Sequence, residues 1–158
     1  MHSFLINTII KNKCEVVFDL SRSIDLHLIS TSKTNEKAVA GKTSGLINLN
    51  ETVTWQANHL FKIRYFTSQI TAFNYPFSFT DQMIKGDLQR FCHQHIFKKN
   101  AEGTLMTDVI YLKAPYGLLG KIVMKLFLKN YFKKLLIERN NIIKQFAETE
   151  QWKMILKK

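Results

Sequence analysis

Cysteine is nearly absent from this chain of 158 residues: Cys14 and Cys92 are the only two, and neither sits in a CxxC or zinc-type spacing. That excludes a disulfide-dense scaffold and fits a reducing, cytoplasmic setting. Long apolar runs are also missing. None approaches the roughly 20 residues needed to span a bilayer, so no transmembrane helix is expected. The opening "MHSFLINTIIKNK" has no basic n-region and no small-residue cleavage site, and reads as a strand rather than a signal peptide. Acidic residues are scarce, at 12 against 23 Lys and Arg, for a net charge of +11. The excess is concentrated late: residues 115–158 hold ten Lys or Arg and three Glu, a net +7 of that +11. Such asymmetry suits an anionic membrane surface, nucleic acid, or simply the solvated face of an amphipathic helix. No helix-turn-helix, KH or RRM signature accompanies the lysines, so nucleic acid is not expected as a partner.

What is present is apolar and aromatic. Hydrophobic residues make up 46% of the chain and Phe alone occurs 12 times, enough for a sizeable core or a lipophilic cavity. With no repeat, low-complexity tract or linker, residues 1–158 read as one domain. "SFLINTII" predicts a strand. "KNKCEVVFDLSRS" predicts a short helix with Asn12 as its cap, and "SIDLHLIS" a second one capped by Ser23. From Lys37 the period becomes two, as in "ETVTWQANHL", "IRYFTSQITAF", "FSFTDQMIKG", "RFCHQHIFKK" and "TLMTDVIYLKAP". After Pro115 apolar residues recur at helical spacing from 119 to 146, about eight turns. The order is therefore α+β: strand, two short helices, about six further antiparallel strands, one long helix. Wrapping a curved sheet on that helix buries both apolar faces and tends to leave a cavity between them.

Six stretches resemble the SRPBCC superfamily: "VFDLSRSIDLH" (17–27), "TSGLI" (43–47), "ETVTWQANH" (51–59), "FTDQMIKGDLQRFCHQHIF" (79–97), "GTLMTDVI" (103–110) and "APYGLLGKI" (114–122). This is the helix-grip fold of START domains, birch-pollen-allergen-like proteins and polyketide cyclases, and the chain is most similar to its bacterial ligand-binding branch. The resemblance implies a curved sheet of about six to seven strands on one long C-terminal helix. It also implies a cavity for a lipid-, polyketide- or isoprenoid-like molecule, and no obligatory cofactor. It does not fix a reaction, because the fold hosts carriers and enzymes alike.

Strand parity gives the inward-facing set. Trp55 and His59 share one row, Phe79, Asp81 and Met83 a second, Phe91, His93 and His95 a third, and Met106 and Asp108 a fourth. Apolar walls with a few convergent polar groups describe a small-molecule pocket. The paired imidazoles of "RFCHQHIF" admit four readings: ligand contact, acid–base catalysis with an Asp, a metal site, or His–Asp pairs such as His93–Asp81 and His95–Asp108 that brace the sheet. No nucleophile motif accompanies them. Three functions follow as expectations: a carrier of a hydrophobic small molecule, an enzyme (cyclase, hydrolase or isomerase), or an adaptor whose basic last helix touches an anionic membrane transiently. Asp19 and Arg22 are spaced as a surface ion pair, with Arg22 otherwise placed to gate the cavity mouth.

Overall fold

The computed structural model describes residues 2–59 and 61–156. Seven strands form one antiparallel sheet: β1 (His2–Ile10), β2 (Lys37–Gly41), β3 (Thr52–His59), β4 (Lys62–Asn74), β5 (Ser78–Lys85), β6 (Arg90–Asn100) and β7 (Gly103–Lys113). Their order is β1-β7-β6-β5-β4-β3-β2, a meander whose last strand returns to the first. Helices α1 (Cys14–Ser21) and α2 (Ile24–Ser30) separate β1 from β2. After β7 come α3 (Gly117–Val123), one π-helical turn (Met124–Leu128), α4 (Lys129–Glu148) and a short α5 (Trp152–Leu156). This is the helix-grip architecture that the order of periodicities predicts. Among the described residues no helix is long and apolar enough to cross a membrane.

The inward rows follow from period two. Val53, Trp55 and Ala57 are buried along β3, and Thr104, Met106, Asp108, Ile110 and Leu112 along β7. Most of the phenylalanines divide between two clusters, with Phe61, Phe77 and Phe127 exposed outside them. Phe18 of α1 sits at the centre of one, its ring meeting those of Phe73, Tyr75, Phe79 and Phe97 at centroid distances of 5.1–5.2 Å. Ile110 and Leu112 anchor the other, against Phe91, Phe132 and Leu136.

Two local details differ from the sequence reading. Asn12 does not cap α1: the N-cap is Lys13, without a side-chain bond. The Asn12 amide instead donates through Nδ2 to the Ala147 carbonyl at 2.6 Å, tying the start of α1 to the end of α4. The long helix is interrupted by the π-helical turn and ends at Glu148. Thr149 turns to extended backbone and its hydroxyl donates to the Gln145 carbonyl at 2.9 Å, closing α4. Trp152, Ile155 and Leu156 can then fold back onto the main core. Ser23 does cap α2, accepting from the Leu26 amide at 3.2 Å. The β7–α3 junction needs glycine at 120, where a Cβ would lie 1.8 Å from the Pro115 carbonyl oxygen.

Candidate functional site

Sheet, α2 and α4 enclose a cavity of about 190 Å³. Its body is apolar, formed by Val53, Trp55, Ile70, Phe79 and Phe132 among others. Its rim is reached by Arg64 and Asp87, which form an ion pair with one another. Of the residues that strand parity selects, Trp55, His59, Phe79, Asp81, Met83, Phe91, His93 and His95 stand on the wall. Met106 and Asp108 do not, which corrects their placement. Both are fully buried: the Met106 sulfur lies 3.4 Å from the Ser21 hydroxyl of α1, and Asp108 is covered by Asn140 of α4. Parity identified the right face, but on β7 the helices close over it.

The opposed imidazoles are organised by Asp108. His95 faces Asp108 in the β6–β7 register. His93 donates through Nε2 to Oδ1 of Asp108 at 2.7 Å, and Nδ1 of His95 lies 3.0 Å from the same oxygen, off the line of a good hydrogen bond. Oδ2 accepts from Nδ2 of Asn140 at 2.6 Å. Burial alone would raise the Asp108 carboxyl; the two imidazoles outweigh it and hold the group well below its ordinary value. Burial and the neighbouring His93 push His95 well below the ordinary imidazole value, so it is neutral at neutral pH. The rings also meet: His93 lies against His95 at 3.7 Å with the planes tilted by 32°, and His95 stacks on Phe79 at 4.1 Å. The predicted His95–Asp108 pairing is present. The alternative His93–Asp81 bond is absent, because His93 turns across to β7 although Asp81 is its register partner on β5.

Asp81 is thereby left over. It lies between His93 of β6 and Ile70 of β4, near Ser68, which β4 places between two register shifts. Burial raises its carboxyl above the ordinary value, with Ser68 and His93 offsetting part of that. Three buried atoms have no hydrogen-bond partner among the described residues: Oγ of Ser68, Oδ1 of Asp81 and Nδ1 of His95. All three belong to residues on the cavity wall.

A second polar group lies on the α2 side. His27 Nε2 is 2.6 Å from Oε2 of Glu36, and His59 Nε2 is 3.7 Å from Oε1. Burial would raise Glu36, but the charge and hydrogen bond of His27, helped by His59, take it below its ordinary value. His59 Nδ1 pairs with the Tyr131 hydroxyl at 2.8 Å, joining β3 to α4. Arg22 is a clamp rather than a loose surface pair: it bonds Asp19 at 2.8 Å, the Ile47 carbonyl at 3.1 Å and Asn48 at 2.7 Å, and it also lines the cavity.

Several of these residues escaped the sequence reading. Glu36 sits in a loop with no periodicity to mark it. Arg139 and Asn140 do carry a signal in the sequence: they fall on the apolar stripe of α4, three and four residues after Leu136 and four and three before Ile143. Arg139 lines the cavity and donates through Nη2 to the Ser21 carbonyl at 2.7 Å.

His93, His95 and Asp108 could offer a metal ion three ligand atoms within 4.8 Å of one another. Their bonds to each other and to Asn140 account for the cluster without an ion, and both carboxylate oxygens are already engaged.

No family model matches the chain. No curated protein matches it in sequence either. Solved structures do. TTHA0849 from Thermus thermophilus superposes with a TM-score of 0.70 at 15% identity, over 90% of this chain and 97% of that one. Ginseng major latex-like protein 151 from Panax ginseng gives 0.68 at 14%, over 92% and 97%. Ms6760 from Mycobacterium smegmatis gives 0.66 at 15%, over 91% and 89%. Similarity at such low identity speaks for the fold alone, and together with the sheet order and the long helix it shows that this chain has a helix-grip fold.

Proposed function

We propose that the protein binds and carries a lipophilic small molecule in the cavity between sheet and α4. The apolar body rests on Trp55, Ile70, Phe79 and Phe132, and an oxygen-bearing end meets Ser68, Asp81 and His95. One observation carries this: Ser68, Asp81 and His95 bring polar side chains to the wall of one largely apolar cavity. A buried donor or acceptor without a partner forfeits about 1–3 kcal/mol, so polar groups on an apolar wall favour a ligand that brings an oxygen to them. A carbonyl or hydroxyl suits them: Ser68 can donate or accept, and burial raises the Asp81 carboxyl above its ordinary value. Lipid-, isoprenoid- or polyketide-like ketones and alcohols have this chemistry, and the reading needs no cofactor and no reaction.

Native mass spectrometry of freshly purified protein, followed by extraction and identification of what it holds, tests the proposal. A retained lipophile with an oxygenated end supports it. Protein that emerges empty and takes up neither long-chain ketones nor long-chain alcohols contradicts it.

A further inference from the structure

The first turns of the C-terminal helical region expose their apolar side. Leu118 is 75% accessible and Leu126 is 72%, and Leu119, Ile122, Val123 and Phe127 are exposed with them. Helices of this kind normally turn such residues inward. Here the buried residue in α3 is Gly120, and the substantial packing of α3 is on the helical turn that continues it. The same stretch is uniformly basic. Between Asp108 and Glu138 the chain has six lysines (Lys113, Lys121, Lys125, Lys129, Lys133, Lys134) and no acidic residue.

This patch adjoins the cavity mouth. Phe127 stacks on Tyr131 at 6.2 Å, and Tyr131 bonds His59 at the end of β3. The turn and strand that follow His59 present Phe61, Ile63 and Tyr65, all exposed, and Tyr65 lines the cavity. Apolar side chains from two separate elements thus flank the opening.

We infer that this face docks on an anionic lipid surface, with Leu118, Leu119, Leu126 and Phe127 entering the headgroup boundary and the lysines at phosphate level. The pairing of exposed Leu and Phe with lysines is what an interfacial helix requires. Charge favours lipid over a second copy of the chain. Two such faces in contact would bring twelve lysines together, twice the six counted above, with no carboxylate from this stretch between them. Docking brings the cavity mouth to the bilayer, and it stands apart from what the cavity holds.

Co-sedimentation tests it, using vesicles of phosphatidylcholine alone and vesicles in which about a quarter of the lipid is phosphatidylglycerol. The protein should bind the anionic vesicles, and added salt should weaken that binding. Each lysine near such a surface is worth about fivefold, so Lys121→Gln with Lys125→Gln should weaken binding roughly 25-fold. Leu118→Ser with Leu126→Ser, both exposed and so harmless to folding, should weaken it roughly a hundredfold. Tryptophan emission from Phe127→Trp should shift to the blue on anionic vesicles. No binding to either vesicle overturns the inference, as does binding that ignores both double variants. A dimer in sedimentation that Leu118→Ser with Leu126→Ser dissolves also overturns it, since a second copy would then cover the face.

Discussion

Replacing Asp108 with leucine removes the acceptor of His93 and Asn140 and the carboxylate beside His95, and it does so where no water can substitute, since Asp108 is fully buried. Two effects add. The imidazole and amide donors lose their partner, at about 1–3 kcal/mol for each one left unsatisfied. The buried guanidinium of Arg139 also loses the carboxylate that most offsets its desolvation. Removing one member of a buried charged network typically costs about 3–5 kcal/mol, and we expect Asp108→Leu to fall in that range. For a chain of this length that corresponds to a melting temperature lower by roughly 10–15 °C. Asp108→Asn keeps one acceptor oxygen and should lose less than Asp108→Leu. Urea unfolding followed by circular dichroism measures both. Because Asp108 is off the cavity wall, the affinity of folded protein for a lipophilic dye should change little in either variant. A loss under about 1 kcal/mol for Asp108→Leu would refute the view that this carboxylate organises the histidine pair.

Stability should also fall as pH drops below about 6.5, because unfolded His95 takes up a proton that the folded imidazole refuses. A further loss should follow below about 4, where unfolded Asp108 protonates before the folded carboxylate does. Melting curves across this range should therefore be steeper for the natural chain than for His95→Gln, and equal slopes would count against a neutral, buried His95. Ser68→Ala removes a hydroxyl from the cavity wall beside Asp81, so affinity for a long-chain ketone should drop several-fold with little change in melting temperature. A clear loss of stability without any change in affinity would mean that Ser68 serves packing.

Periodicity made the architecture legible. The alternation in "TWQANH", "RFCHQHIF" and "LMTDVI" and the switch after Pro115 set out the strands, the long helix and the inner face. Parity cannot say what covers a given row, which is why Met106 and Asp108 read as cavity residues although α1 and α4 seal them off. Nor can it choose between cross-strand partners. His93 is flanked by Asp81 on one side and by β7 on the other, and a side-chain rotamer decides the outcome. Glu36 was invisible because a loop has no period. Arg139 and Asn140 lay in view on the apolar stripe of α4, but a charged residue in a lysine-rich helix passes for solvated surface.

The most direct measurement compares the affinity of a long-chain ketone with that of the alkane of equal length, by dye displacement, in the natural chain and in Asp81→Leu. The natural chain should hold the ketone about tenfold more tightly, the worth of one buried hydrogen bond, and Asp81→Leu should erase that preference while keeping the alkane affinity. If the two ligands bind the natural chain equally well, or if Asp81→Leu leaves the preference intact, then the oxygen end is not read at Ser68, Asp81 and His95.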